Sequence, residues 1–335
     1  MKNIISKLMG GVLLFSLSMS LTSCEGALDD ILGEWSRPTP GGGSSSDEPT
    51  PTMKATPLTV EAITAGTITV ISPQAGMKYS RDGGVTKINI SGEVNISVAA
   101  GDKVAFYGTA NCYKDTKIGG DGDGFECKVY GNIMSLLDET GFATLSDPIT
   151  LQSGNTFQAL FRKNTTLIDA SGLLLPATTL ANDCYGQMFS GCTSLTTAPK
   201  LPATTLANCC YEYMFSGCTN LAAAPELLVT ELKEGCYMYM FGDCTTLTTT
   251  PKLPATTLAN DCYYSMFEGC TGLTKAYVKA APADIKCLRM FTKCTKTGGT
   301  FYSVDVATAN TWITTFNTYD PPSLQGWTGA AYPTE

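Results

Sequence analysis

The chain has 335 residues and a formal net charge of −8, from 22 Lys and Arg against 30 Asp and Glu, and it contains no histidine. The lack of histidine excludes every catalytic triad or dyad that uses an imidazole base. The acidic balance, without a basic patch, argues against a nucleic-acid partner.

Residues 1–23 are predicted to be an export signal. Two lysines near the start precede a largely apolar run, Val12–Leu21, which is too short to span a membrane. The following sequence, Leu-Thr-Ser-Cys24, resembles the lipobox of bacterial lipoproteins, which implies that Cys24 is lipidated as the first residue of the mature chain. The alternative is an ordinary signal peptide followed by a chance cysteine.

Residues 24–53 are predicted to form the lipidated N-terminus and a flexible tether. The range Pro38–Pro51 is rich in Pro, Gly and Ser, a composition that cannot build a core. Acidic residues follow the cysteine at positions 25, 29 and 30. They resemble the surface-export signal of Bacteroidetes-type lipoproteins, which implies a lipid-anchored protein exposed on the outer membrane. The alternative is a solvated linker.

Residues 54–150 contain short segments of alternating hydrophobicity that predict a small, all-β, sandwich-like domain. The predicted strands are Leu58–Ile63, Thr67–Ile71, Lys87–Ile90, Asn95–Val98 and Lys103–Tyr107. Glycines between them, such as Gly83 and Gly101, supply the turns that such strands require.

An acidic, glycine-rich segment at residues 115–126 partly matches a calcium-binding loop. Asp115 and Glu126 fit the first and last ligand positions of a twelve-residue loop. However, Lys117 and Gly119 occupy two positions where the loop needs oxygen ligands. We therefore interpret the segment as an acidic turn and predict no metal or cofactor, with calcium as the weaker alternative.

One phrase recurs every 26 residues between Cys184 and Leu273. Its Met-Phe pairs lie at positions 188–189, 214–215, 240–241 and 266–267. A second phrase, LPATTLAN, precedes three of the copies, and a degenerate version, LLVTELKE, precedes the third copy. A fixed period of this size predicts stacked units that share one apolar interior. We therefore expect the phenylalanines of successive copies, Phe189, Phe215, Phe241 and Phe267, to lie in register.

The repeated phrase resembles the BspA-like leucine-rich repeats of bacterial surface proteins. The resemblance is carried by Phe189-Ser-Gly-Cys192-Thr-Ser-Leu195, followed by Ala198, Leu201-Pro202 and Leu206. It implies a leucine-rich-repeat-like solenoid of 26-residue units, with short strands plus short helical or turn segments, over residues 151–297. The chain departs from that family in its longer period, in a cysteine at the start of the returning segment, and in Met in place of Ala before the Phe.

The two ends of the repeated region differ from its interior. Leu160-Phe161 belongs to a degenerate copy without cysteines, which is predicted to form the N-terminal cap of the repeats. Residues 298–335 are predicted to form a C-terminal cap, because Phe301, Trp312, Phe316 and Trp327 are large enough to cover an exposed apolar end.

Twelve cysteines are candidates for disulfide bonds, which export from the cytoplasm permits. The pairs are Cys112/Cys127, Cys184/Cys192, Cys210/Cys218, Cys236/Cys244, Cys262/Cys270 and Cys287/Cys294. Eight residues of straight helix would hold a pair ~12 Å apart, beyond the ~4.4–6.8 Å that a bridge needs, so the segment must bend back. The alternative is two columns of buried thiols, each stacked on its equivalent one repeat away. Zinc is disfavoured by the spacing and by the absence of histidine.

The two residues that follow each Cys-Tyr vary between copies and are candidates for ligand binding. These candidates are Gln187, Glu212, Tyr213, Met238, Tyr239 and Tyr264. Stacking would turn them into columns beside the constant tyrosines and create a surface suited to protein or glycan ligands. Alternatively, the constant tyrosines pack between units and the variable residues are merely exposed.

These patterns predict a non-catalytic, lipid-anchored surface protein that binds protein or glycan ligands, as the resemblance to BspA-like adhesins implies. The alternative is a structural or accessory lipoprotein of an outer-membrane complex. An enzyme would need converging catalytic groups, such as a pair of carboxylates for sugar hydrolysis. No acidic pair stands out from the turns that carry Asp and Glu, and no catalytic residue is predicted.

Overall fold

The computed structural model describes residues 51–121, 124–146, 148–282, 287, 289–319 and 323–333. The predicted signal peptide, Cys24 and nearly all of the predicted tether lie outside the described residues. The described chain from Pro51 to Tyr332 belongs to one compact unit. It is mostly sheet, with two α-helices among the described residues.

The N-terminal part begins with a short helix and continues through nine strands. In chain order these elements are α1 Pro51–Ala55, β1 Thr59–Ala62, β2 Gly66–Ile71, β3 Lys78–Ser80, β4 Ile88–Asn89, β5 Val94–Val98, β6 Lys103–Tyr107, β7 Lys117–Asp121, β8 Cys127–Asn132 and β9 Leu167–Leu174, with 3-10 turns at Ile133–Leu136 and Phe142–Thr144. The five segments predicted from alternating hydrophobicity correspond to β1, β2, β4, β5 and β6. Gly83 and Gly101, at the predicted turns, have φ values of 73° and 86°.

These strands do not form a separate sandwich-like domain, because the larger of their two sheets also includes a strand from the repeated region. That prediction is therefore wrong. A mixed six-stranded sheet has the order β4-β3-β6-β1-β8-β9, and an antiparallel three-stranded sheet has the order β5-β2-β7. Strand β9 comes from the repeated region, yet it pairs in parallel with β8. In the larger sheet Val60 lies in register with Val104 and Val129, and all three side chains are buried. The core therefore continues across the sequence boundary expected at residue 150.

The C-terminal part contains a third sheet and the longer helix. Its elements are β10 Thr249–Leu253, β11 Lys275–Val278, β12 Thr300–Ser303, α2 Val306–Tyr319 and β13 Thr328–Ala331. The four strands are parallel, in chain order. Helix α2 packs against β12 and β13 and buries Ala309, Trp312, Ile313 and Phe316. This spacing of three and four residues is that of one apolar helix face.

The predicted leucine-rich-repeat-like solenoid is also wrong. That architecture requires a strand and a helical or turn segment in each unit, whereas residues 175–248, all described, contain turns and isolated bridges but no strand or helix. Within residues 183–192 every fourth residue has a left-handed backbone conformation, with φ values of 58° at Asp183, 57° at Gln187 and 75° at Gly191. Left-handed residues at this interval interrupt a helix before it can form. We call residues 183–192 and their equivalents the turn segments.

Backbone hydrogen bonds hold the turn segments together in two alternating ways. The N–H groups of Tyr185 and Gln187 donate to carbonyl oxygens 25 residues further along, at 3.0 and 2.7 Å. The intervening Gly186 N–H instead donates within its own turn, to the Asp183 carbonyl at 3.1 Å. Each turn segment therefore satisfies its backbone without being a strand or a helix.

The phenylalanines of successive repeats lie in register, as the 26-residue period predicts. The distances between ring centroids are 5.5 Å from Phe189 to Phe215, and 5.7 Å at each of the next two steps. The rings are within 6° of parallel, and all four side chains are fully buried. Phe161 and Phe291 continue this Phe column at its two ends. The repeats thus share one apolar interior.

Aromatic side chains cover the C-terminal end of the Phe column. The ring of Phe291 meets Phe301 and Phe316 edge-on, with centroids 5.7 and 5.2 Å away. Trp312 lies against both of these rings and is fully buried. Its indole Nε1 donates a 2.8 Å hydrogen bond to the Ala280 carbonyl. Phe301 and Phe316 therefore contact the last ring of the column, and Trp312 packs against both of them. Trp327, also predicted for the cover, is buried and donates to the Lys296 carbonyl at 2.6 Å.

Candidate ligand-binding surface

The constant tyrosines lie in the interior rather than on the surface. Tyr185, Tyr211, Tyr237 and Tyr263 form a second buried column, with centroids 5.8 to 6.3 Å apart. Burial raises the pKa of each phenol well above its ordinary value. These side chains therefore pack between repeats and are not available to a ligand.

The six predicted ligand-binding residues lie together along one stripe. The Gln187 N–H donates to the Glu212 carbonyl at 2.7 Å, the Tyr213 N–H to the Met238 carbonyl at 2.9 Å, and the Tyr239 N–H to the Tyr264 carbonyl at 2.9 Å. The second variable residue of one repeat is thus adjacent to the first variable residue of the next. All six side chains are partly exposed. We call this set the variable stripe.

Three tyrosines of the variable stripe stack on one another. The rings of Tyr213 and Tyr239 are 4.6 Å apart and within 6° of parallel, whereas Tyr264 is tilted by 58° at 5.8 Å from Tyr239. In the fourth repeat the position equivalent to Tyr239 is Ser265, which is buried and has no ring. The neighbouring Tyr264 continues the row of rings instead. Burial raises the pKa of Tyr213, with a smaller contribution from the neighbouring Tyr239. We call these three residues the Tyr ladder.

A basic group that the sequence analysis missed lies at one end of the Tyr ladder. Glu268 Oε1 accepts hydrogen bonds from Arg289 at 3.3 Å and from Lys293 at 3.0 Å. Burial acts to raise the pKa of Glu268, but the Lys293 hydrogen bond and both cations lower it overall. A hydrogen bond with Tyr264 raises the pKa of Arg289 and joins it to the ladder. An alignment of the repeats could have predicted this position, because Arg289 in the shortened copy CLRMFTKC aligns with Tyr239.

An acidic group lies at the other end. One ligand atom from each of Asp183, Cys209 and Glu212 comes within 4.8 Å of the other two. Burial, and then the charge of Asp183, raises the pKa of Glu212. Burial raises the pKa of Cys209 to about 11, and Glu212 and Asp183 add to the shift. A thiol with two carboxylates has the donor types of a zinc site, although three such groups fall short of a closed structural site. The group escaped detection because its members come from different repeats.

The predicted disulfide bonds are not formed, and the structure contains thiols at these positions. This correction applies to all six predicted pairs, Cys112/Cys127, Cys184/Cys192, Cys210/Cys218, Cys236/Cys244, Cys262/Cys270 and Cys287/Cys294. For the five pairs in the repeats, the physical reason lies in the turn segments, which direct the two sulfur atoms of one repeat toward different neighbours. In the sixth pair, Cys112 Sγ donates to the Asn155 carbonyl at 3.3 Å, whereas Cys127 Sγ lies 3.6 Å from Thr166 Oγ1.

The first pair of the repeats shows this divergence. Cys192 Sγ donates to the Phe161 carbonyl of the preceding copy at 3.0 Å. Cys184 Sγ instead approaches the Cys210 carbonyl of the next copy at 4.0 Å. The two thiols therefore contact the repeats on opposite sides of their own and do not face each other.

The last predicted pair, Cys287/Cys294, is divided in the same way. Cys294 Sγ donates to the Phe267 carbonyl of the preceding copy at 3.1 Å. Burial raises the pKa of Cys270 well above its ordinary value, and Cys294 is among the neighbours that add to the shift. Burial also raises the pKa of Cys262 to about 12, and there the contributing neighbour is Cys287. Each member of the last pair thus lies beside a different cysteine of the preceding repeat.

The electrostatic neighbours of the other thiols show the same two columns. Burial raises the pKa of Cys218 well above its ordinary value, and the next contributors are Cys192 and Cys244, its equivalents one repeat away. For Cys210 burial acts first and Cys184 second. Each cysteine thus lies beside its equivalents rather than beside its predicted partner, which supports the alternative of stacked thiols.

The acidic segment at residues 115–126 is not one continuous loop. Its central part forms strand β7, in which Gly120 pairs with Ile68 of β2. A strand at this place separates Asp115 from Glu126 instead of wrapping both around an ion. Asp123 lies outside the described residues.

Comparisons with protein-family models, with curated proteins and with solved structures gave no match. The resemblance to BspA-like surface proteins therefore rests on the repeated phrase alone. None of the helices in the described part of the chain has both the length and the apolar character needed to traverse a bilayer.

Proposed function

We propose that this protein is a non-catalytic, lipid-anchored protein of the bacterial outer-membrane surface that binds protein or glycan ligands through the variable stripe. The observation that carries the proposal is the Tyr ladder. Its residues occupy positions that vary between repeats, and their side chains are partly exposed while the constant tyrosines are buried. Tyrosine supplies a large contact area for a small loss of side-chain entropy.

The packing of the ladder favours a preformed binding surface. Tyr213 and Tyr239 restrain one another by stacking, and their backbones are fixed by the hydrogen bonds to Met238 and Tyr264. A surface that is already ordered loses little conformational freedom when a ligand binds. Positions that contact ligands can vary without disturbing the interior, because the Phe column is formed by other residues.

The test is binding of the mature chain, produced without residues 1–23 and with Cys24→Ser, to a panel of extracellular-matrix proteins and to a glycan array. We expect at least one ligand to be retained, and we expect the combined change Tyr213→Ala, Tyr239→Ala and Tyr264→Ala to abolish its retention. Tyr277 and Tyr302, a stacked pair 4.5 Å apart on β11 and β12, provide the matched control when both are changed to Ala. Retention of no ligand by the folded protein, or equal losses for both variants, would contradict the proposal.

The anchor is tested separately in intact cells. We expect the full chain to incorporate a labelled fatty acid and to be removed from intact cells by an added protease. The variant Cys24→Ala should lose the label and leave the membrane fraction. Label incorporation by that variant would contradict lipidation at this position.

A further inference from the structure

We propose that the occupant of the variable stripe is an extended polypeptide segment, with a cationic residue near Glu212 and an anionic residue near Arg289. The inference rests on the proposed function and specifies its ligand. Three features of the stripe support it: opposite charges at the two ends, the edge-on presentation of the Tyr ladder, and the distance between the ends.

The acidic end carries negative charge without a cationic neighbour. Asp183 and Glu212 are partly exposed, and neither forms an ion pair with a lysine or arginine of the described residues. Their proximity to each other makes the charged form of Glu212 less favourable, and a positive group would relieve that repulsion. A lysine or arginine side chain of a ligand provides such a group.

The basic end presents two exposed cations around a carboxylate that is nearly covered. The side chains of Arg289 and Lys293 are 46% and 67% exposed, and both contact the single carboxylate of Glu268, which is 10% exposed. Glu268, and then the exposed Asp243, raise the pKa of Lys293, so two cations face two carboxylates, but the Arg289 guanidinium remains exposed to solvent. A carboxylate from a ligand would complete the pairing with geometry that a guanidinium favours.

Between these ends, the stacked pair Tyr213 and Tyr239 presents ring edges rather than ring faces, whereas Tyr264 is tilted out of the stack. Tyr213 and Tyr239 are nearly parallel at 4.6 Å, so each covers a face of the other. A sugar ring that stacks on tyrosine needs an exposed face, whereas a peptide offers N–H and C=O groups to a row of phenol edges and hydroxyls. An acidic glycan would in addition be repelled at Asp183 and Glu212. Charge and ring orientation therefore favour a peptide over a glycan.

The spacing of the repeats sets the length of the segment. Glu212 and Arg289 belong to the repeats of Phe215 and Phe291, between which the ring-to-ring steps are 5.7, 5.7 and 5.5 Å. An extended chain advances about 3.3 Å per residue, so this distance of roughly 17 Å places the two charges of the ligand about five residues apart.

The experiment is selection from a displayed library of random dodecapeptides, using the mature chain with Cys24→Ser. We expect the selected peptides to carry a Lys or Arg and an Asp or Glu about five residues apart, in one constant order. A selected peptide, synthesised and labelled, should bind about 3- to 10-fold more weakly to Glu212→Gln and to Lys293→Gln. The matched control is Glu231→Gln, an exposed acid outside the stripe, which should leave the affinity unchanged.

A charge reversal separates recognition from stability. Repeating the selection with Glu212→Lys should replace the cationic residue of the peptides by an anionic one, an outcome that a purely structural role could not produce. Peptides without this charge pattern, or a pattern unaffected by Glu212→Lys, would overturn the inference. Retention of glycans alone, dependent on the Tyr ladder, would overturn it while leaving the proposed function intact. Retention of neither class would overturn both.

Discussion

The Sγ atom of Cys218 donates a hydrogen bond to the carbonyl oxygen of Phe189 at 3.2 Å, and this contact joins two consecutive repeats. The same carbonyl accepts a 3.0 Å bond from the Cys192 N–H of its own turn. Equivalent thiol contacts recur one and two repeats further on, at Cys244 and Cys270. The second cysteine of the phrase therefore fills the interior and also links each turn segment to the one before it.

Removal of the Cys218 thiol is expected to destabilise the fold. The variant Cys218→Ala leaves a cavity beside the Phe column and removes one hydrogen bond, for a loss of about 1–3 kcal/mol in the free energy of unfolding. Urea denaturation of the mature chain measures it. Cys209→Ala, at a partly exposed cysteine outside the predicted pairs, should lower the free energy of unfolding by less than about 0.5 kcal/mol. Equal losses for the two variants would show that the thiol column does not stabilise the fold.

Alkylation is expected to distinguish exposed thiols from buried ones. In the native protein the partly exposed Cys112 and Cys209 should react first, while the cysteines of the two columns react only after denaturation. Burial raises the pKa of Cys192 and Cys244 to about 12, which leaves little thiolate at neutral pH. Intact mass after alkylation in denaturant, without reductant, is the measurement. A mass that lacks two alkyl groups for each predicted pair would show that the disulfide bonds are formed.

Stability is expected to decline in alkaline solution. The thiols of Cys192 and Cys244 have pKa values of about 12 in the folded chain against an ordinary value of 9, so the folded state holds its protons more tightly. Their contribution is fully present below pH 9 and is lost as the pH rises toward 12. Each such group lowers the free energy of unfolding by up to about 1.4 kcal/mol per pH unit in this window. Urea titrations at pH 8, 9 and 10 measure the decline.

A substitution in the column provides the control for this pH dependence. Cys244→Ala removes one titrating group, so its stability should fall less steeply above pH 9 by about one proton. Leu221→Ala, which removes a buried side chain that does not titrate, should retain the slope of the unsubstituted protein. A stability that is constant from pH 8 to pH 10 would contradict the burial of the thiols.

The interior could be predicted from the sequence because it depends on the period alone. Stacking at 26-residue intervals places every Phe on its equivalent, whatever the backbone does between them. The period likewise predicts that the constant tyrosines, such as Tyr185, stack in a column. It did not predict whether that column is buried, because a constant tyrosine can either pack in the interior or bind a ligand.

The conformation of each repeat could not be predicted, because its left-handed residues follow no single residue type. Gly191 and Gly217 occupy one such position, yet Asp243 and Lys293 adopt the same backbone there, with φ of 59° and 61°. Glycine and aspartate are enriched at positive φ, so their recurrence every few residues was a signal for turns in place of helix. The resemblance to a known repeat family concealed that signal.

The charged ends of the variable stripe were also beyond the sequence pattern. Glu212 was a candidate, but its neighbours Asp183 and Cys209 acquire a role only through stacking. Arg289 belongs to a shortened copy whose alignment is offset from the 26-residue period. Contacts between different repeats depend on the register and on the hand of the turns, which the period does not determine.

Glycine at position 217 is expected to be required for its backbone rather than for space. Its φ is 75°, and an added Cβ would meet Gly191 Cα at 3.5 Å, an ordinary contact. Gly217→Val should therefore cost about 1–2 kcal/mol in the free energy of unfolding through backbone strain, and Gly217→Asn should cost clearly less. Urea denaturation of both variants is the measurement. A Val variant as stable as the Asn variant would exclude the left-handed conformation at this position.

The aromatic cover at the C-terminal end is expected to stabilise the Phe column beneath it. Trp312 is fully buried, stacks on Phe316 at 5.3 Å and donates to the Ala280 carbonyl. Trp312→Ala should lower the free energy of unfolding by about 3–5 kcal/mol, because a large side chain is removed from a packed core. Trp312→Phe should cost about 1–3 kcal/mol, chiefly because the buried carbonyl loses its donor. Tyr319→Ala, on the same helix but 74% exposed, should change it little.

Amide hydrogen exchange shows whether the effect of Trp312→Ala reaches the column. The Phe267 N–H donates to the Met290 carbonyl at 2.9 Å, two rings below the cover, and the Phe189 N–H makes the equivalent bond near the other end. If the cover closes the column, exchange at Phe267 should accelerate more than exchange at Phe189, because local opening begins where the apolar end is exposed. Equal acceleration at both amides would mean that the described repeats unfold as a single unit, and unchanged exchange at Phe267 would mean that Trp312 stabilises only α2.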